Sequence, residues 1–258
     1  MNVFCYDATY DGLLCAVFDA YRLKLYPQAL HGEGAILPMF AEVVHTVVTD
    51  GEKAQRVWRA LEKKLSRQAL NHIMYVWLSE EPGADMLIFR YIRKVVDSPR
   101  SIETHFADDD VTQMFKTARK VSKDQMFIKQ FVRFQKTRDG IYFAAVFPQY
   151  NVLPLAIAHF RDRFADQQWA IYDGNRGYGF YYNLHSVEEI VLDQEETMTN
   201  GRLNADLLAQ DDARFEALWR SYFKALSIKE RTNLRQQRQF MPKRFWRYLP
   251  EMRDKAIV

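Results

Sequence analysis

A chain of 258 residues that is 48% hydrophobic, 14% aromatic and 27% charged can bury a sizeable core, which excludes a disordered polymer. With ten glycines and eight prolines there is no low-complexity linker, and the longest apolar runs are far too short to cross a bilayer. The opening MNVFCYDATYDG has neither a cationic nor an apolar leader region, so the expected location is cytoplasmic, without a membrane partner.

Residues 2–6 read as a short strand, and residues 11–24 then place Leu14, Phe18, Tyr21 and Leu25 at helical spacing. After a stretch punctuated by Gly32, Gly34 and Pro38, the β-branched segment 41–49 reads as a strand. Asp50-Gly51 opens a long helical stretch whose stripe is Val57, Leu61, Leu65, Ala69, Ile73 and Val76; a second helix covers about residues 84–97, making a helical hairpin. Asp108, Asp109 and Asp110 precede a further helix. Acids are favoured at a helix start by its unpaired amides, and no second acidic cluster stands at a spacing that suggests a magnesium site. Cys5 and Cys15 are expected to be free thiols. Two cysteines supply neither a four-thiolate zinc site nor an iron–sulfur cluster, and no metal or cofactor is expected.

In the middle of the chain, Asp139-Gly140 lies between two β-like runs, a strong hairpin signal. As a two-residue loop it sets Phe134 opposite Ala145 and Gln135 opposite Ala144. Arg133 and Gln135 then share a face with a small residue, forming either a polar recess or a wetted sheet face. A helix follows over 151–164, with Pro154 in its first turn, Leu153, Ile157, Phe160 and Phe164 inward, and His159 beside the stripe. Next comes a second hairpin, 167–183. Its Arg176-Gly177-Tyr178-Gly179-Phe180 matches half of an RNA-recognition strand signature, but Tyr181 and Asn183 break the match. The expected fold is mixed α+β, mainly antiparallel, with at least two hairpins packed with several helices. Its expected organisation is a core over 1–210 with a basic helical segment, 211–258, docked on it as part of one continuous domain.

The net charge of +3 is unevenly spread. From Arg214 onward there are 12 Lys and Arg against 4 Asp and Glu, while the remainder carries 24 against 29. Phe215, Leu218, Trp219, Tyr222 and Leu226 share one face of a helix over 212–228, which is expected to dock on the core. Beyond it, Met241-Pro242 starts a last helix with Phe245, Tyr248 and Leu249 inward. Arg231, Asn233, Arg235, Arg238, Lys243, Arg244 and Arg247 form the expected nucleic-acid contact, because Glu230 is the one acid between Ala217 and Pro250 and uncompensated cations call for an anionic partner.

Three ordered blocks carry a family resemblance: YDATYDGLLCAVFDAY; FVRFQKTRDGIYFAAVFPQYNVLPLAIAHFRDRF with WAIYDGNRGYGFYY; and RSYFKALSIKERTNLRQQRQFMPKRFWRYLPE. Together they resemble a bacterial family described as DNA metabolism or DNA repair proteins. Members are encoded beside a radical-SAM protein with a helix-hairpin-helix-type region, and some are joined to a uracil-DNA-glycosylase-like domain. The resemblance implies a DNA-related role shared with that partner, and it supplies no catalytic residues. No such extension is expected here, and the sequence holds no CxxxCxxC cluster motif.

Three functions follow as expectations. One is an accessory DNA-binding partner of the radical-SAM protein. Another is an enzyme acting on damaged bases or DNA ends through a pocket near the two middle hairpins, with His159, Asp173 and Arg176 as acid-base and anion-holding groups. The third is a protein- or RNA-binding module. No HExxH, P-loop, GxSxG or zinc-deaminase pattern is present.

Overall fold

The computed structural model describes residues 1–36, 39–193, 197–199, 202–226 and 233–255, with the side chains of 199, 234, 247 and 253–255 left aside. The chain divides into two compact units, Met1–Ser122 and Lys123–Val258, and both mix helices with sheet.

In the first unit β1 (Asn2–Tyr6) lies between β2 (Ala29–Gly32) and β3 (Val43–Thr46), and both neighbours run parallel to it. Parallel neighbours need a crossover, which α1 (Tyr10–Leu23) supplies between β1 and β2. β2, with the sequence ALHG, has no β-branched residue and carries no strand signal of its own. Two helices, α2 (Gly51–Lys64) and α3 (Arg67–Trp77), stand where the apolar stripe predicts one. Leu65 is extended, Ser66 caps α3 by accepting from the amide of Ala69, and Glu103 takes both the amide and the hydroxyl of Ser66. Leu61, Leu65 and Ala69 are buried on both sides of the break, so periodicity alone runs straight through it.

α4 (Ala84–Asp97) packs on α1, α2 and α3, and Leu61, Ile73, Ile88 and Ile92 are fully buried with Phe4 and Leu13. The last carbonyls of α4 are satisfied by Lys64, whose ammonium donates to Val95, Val96 and Ser98 at 3.1, 2.6 and 3.1 Å. α5 (Asp109–Phe131) starts at the acid triplet. Asp108 accepts from the amides of Asp110 and Val111, while Lys94 lies 2.6 Å from Asp108 and 2.7 Å from Asp110. The triplet is thus a helix start tied to α4, and no group of three metal-ligating side chains is present among the described residues.

The second unit is built on a five-stranded sheet in the order β4 (Gln135–Lys136), β5 (Tyr142–Val146), β6 (Trp169–Asp173), β7 (Tyr178–Tyr182), β8 (Val187–Ile190). Strands β5 and β6 are parallel because α6 (Leu153–Arg163) crosses between them, and the other pairs are antiparallel hairpins. On one face Phe160 of α6 meets Trp169, ring centroids 6.3 Å apart. On the other, Phe143, Ala170 and Tyr172 pack with Met198 of β9 (Met198–Thr199) and Leu203 of β10 (Arg202–Leu203). The chain continues through α7 (Asp212–Leu226), α8 (Leu234–Phe240) and two 3₁₀ stretches, Lys243–Tyr248 and Pro250–Lys255.

The β4–β5 register differs from the expected one by a single residue. Gln135 pairs with Phe143 and Lys136 with Tyr142. The loop is Arg138-Asp139-Gly140, closed by the Gly140 amide on the Thr137 carbonyl and the Thr137 amide on the Ile141 carbonyl, with Gly140 at φ 82°. This is a three-residue loop whose glycine takes the left-handed position, one of the favoured hairpin solutions. Since strand side chains alternate, the extra residue puts Gln135 on the side of Phe143 and Ala145, away from Ala144.

Candidate functional site

That register matters because Gln135 and Ala145 form the floor of a cleft of about 340 Å³, with Arg133 at its edge. The segment entering α7 is tied to β4: the Lys136 amide donates to Asp212 at 2.9 Å, and Arg138 and Ala209 exchange backbone bonds with Leu207 and Lys136. Asp212, Phe215, Glu216 and Trp219 therefore project from α7 along one wall. The opposite end is closed by Tyr248 and Pro250, and Tyr248 is stacked on Phe147 with ring planes 2° apart.

The charged groups of the cleft are largely paired. Glu251, whose side chain is 1% exposed, accepts from Arg133 and from the Trp219 indole, both at 2.8 Å, and the Arg133 guanidinium also lies 5.6 Å from the Trp219 ring centroid. Glu216 binds Arg202 at 2.9 Å and Arg220 at 2.7 Å. Trp219 is thereby held in one orientation while its ring remains reachable. In contrast, among the described residues the Gln135 side-chain amide makes no hydrogen bond, and Asp212 uses one oxygen of two.

α7 is not docked as its apolar stripe predicts. None of its residues is buried; Phe215 is 60% exposed, Tyr222 56% and Trp219 39%. Helical spacing shows that a helix has an apolar face but not what covers it.

The expected cationic contact separates into several groups. Arg235 and Arg238, one turn apart on α8, are exposed and have no ion pair with a described residue; Lys243 is exposed near the Trp246 ring. Asn233 caps α8, its side chain accepting from the Gln236 amide at 3.0 Å. Arg244 is paired with the buried Asp124 and donates to Gln149 at 3.1 Å. Arg231 lies outside the described residues, as does the side chain of Arg247. Phe245, Trp246, Leu249 and Met252 are buried, so this end is anchored by its aromatics.

The three catalytic candidates do not converge. Asp173, fully buried, accepts from the amides of Asn175 and Arg176 and pairs with the Arg176 guanidinium at 3.0 Å; Arg176 also donates to the carbonyls of Pro148 and Gln149. Burial raises the Asp173 pKa against the pull of Arg176. The pair fastens the β6–β7 turn to the segment after β5. His159 sits half-buried on α6, with its pKa lowered by burial and by Lys129 and Arg163, and makes no hydrogen bond with either candidate. Spacing does not separate the exposed aromatic face of α7 from a core face, nor the buried carboxylates Asp124 and Glu251 from solvated surface.

Residues 82–251 match the family model of a domain of unknown function, DUF4130, and the chain belongs to that family. Among solved structures it is similar to a pGpG-specific phosphodiesterase of Vibrio cholerae, at 11% identity and a TM-score of 0.36, over 88% of this chain and 99% of that one. That likeness is too slight to carry an argument. No curated protein matches the chain. Among the described residues no helix is long and apolar enough to cross a membrane.

Proposed function

We propose that the protein binds single-stranded DNA through α7 and α8, as an accessory in DNA metabolism that works with a radical-SAM partner. The observation that carries this reading is the bare aromatic face of α7, where Phe215, Trp219 and Tyr222 stand exposed beside the exposed cations Arg214 and Lys224. Exposed rings interleaved with cations suit a strand whose bases stack while its phosphates are neutralised, and such stacking is worth about 1–3 kcal/mol per base. Arg235, Arg238 and Lys243 add positive charge that no described acid offsets. The sequence resemblance to DNA metabolism proteins supports DNA over RNA.

Fluorescence anisotropy of a labelled single strand and the matching duplex tests this. The single strand should bind more tightly, and Phe215→Ala with Tyr222→Ala should weaken it by at least about tenfold. Equal affinity for both forms, or no loss in the variant, would contradict it. Leu218 and Leu226, 55% and 62% exposed, favour a second reading in which a partner protein covers α7. Under that reading the strand does not bind, and Leu218→Asp releases the radical-SAM partner.

A further inference from the structure

The cleft beside β4 differs in character from the cationic surface around it. We propose that it is a pocket for one purine or pyrimidine base. The inference rests on the strand-binding reading, which it deepens by naming what enters the cleft.

Its volume of about 340 Å³ falls in the range of small-molecule sites. Phe215, Trp219 and Tyr248 line it with aromatic side chains, so the ligand that gains most is flat and polarisable. The ions argue against a free phosphate or carboxylate. Arg133 is held by Glu251 and Arg202 by Glu216, and an incoming anion would have to break those pairs and face Asp212 as well. What remains available is an amide at Gln135, which both donates and accepts, and the second oxygen of Asp212, which accepts. A neutral heterocycle with donors and acceptors along its edge answers that set. Ala145 leaves the floor open, where a larger side chain would fill it.

Isothermal titration calorimetry of the full chain with each of the four 2′-deoxynucleosides, and with deoxyribose 5-phosphate, tests the assignment. At least one nucleoside should bind with a Kd below about 1 mM, and the sugar phosphate should not. Gln135→Leu should weaken the bound nucleoside by about tenfold, the cost of one lost hydrogen bond. Ala145→Leu should abolish binding by occupying the floor, and it decides the matter if Gln135→Leu does not fold. No nucleoside binding, or binding unchanged by Ala145→Leu, overturns the proposal. Nucleosides carry no phosphate, so the two readings fail separately: strand affinity without nucleoside binding removes the pocket alone, and nucleoside binding without strand affinity removes the strand reading alone.

Discussion

The guanidinium of Arg244 closes onto the carboxylate of Asp124, a side chain 2% exposed that also accepts from the amides of Gln149 and Tyr150 at 2.8 and 3.1 Å. A cation in the most basic stretch of the chain is thus a clamp that holds the 3₁₀ segment to α5 and to the segment after β5. Removing it leaves the buried Asp124 side chain with its two amide donors and no cationic partner among the described residues. Arg244→Met should therefore destabilise the protein by about 2–4 kcal/mol, read from urea unfolding, and Asp124→Asn in the same chain should restore part of the loss. A stable Arg244→Met protein with weakened DNA binding would instead put Arg244 on the ligand surface.

Gly174 follows β6 and faces the ring of Phe147, which is stacked on Tyr248 with centroids 5.3 Å apart. A methyl group at 174 overlaps that ring, and the stack resists its rotation. Gly174→Ala should cost about 1–3 kcal/mol in unfolding free energy. An unchanged urea midpoint would show that the Phe147–Tyr248 stack yields freely.

The acids at the start of α5 contribute to the response to low pH in the first unit, as does Asp7. The hydrogen bond from Lys94 lowers the Asp108 pKa in spite of partial burial. For Asp110 burial acts upward, but hydrogen bonds from Arg90 and Lys94 outweigh it and the net direction is down. Both folded values lie below the ordinary 3.8, so the folded state binds these protons less readily than the unfolded one. Their contribution is complete above about pH 3.8 and is lost as pH falls through the folded values. Stability measured across that window should decline toward acid, and Lys94→Met should flatten the decline. An equally steep decline in the variant would assign it to other groups. Asp173 has the opposite sign: burial raises its pKa, so its ionisation opposes folding as pH rises past 3.8.

Local chemistry made much of the fold legible. The turn DGNRG between alternating aromatic strands marks the β6–β7 hairpin, and Pro154 marks the first turn of α6. The Ser66 break escaped because it preserves the buried stripe, and the cleft floor was misplaced because one loop residue exchanges Ala144 for Ala145. The pairing of Arg244 with Asp124 spans 120 positions, a separation at which local charge patterning carries no information. α7 shows the deeper difficulty: the spacing of Phe215, Leu218, Trp219, Tyr222 and Leu226 is the same whether a core or a partner covers it.

The most direct test of strand binding is its salt dependence. Each phosphate neutralised on a single strand contributes about 0.7 to the slope of log affinity against log salt. The full chain should bind a single strand with a clearly negative slope, and Arg235→Ala with Arg238→Ala should make that slope shallower by about 1.4. A slope near zero, or one that the double variant leaves unchanged, would contradict the account.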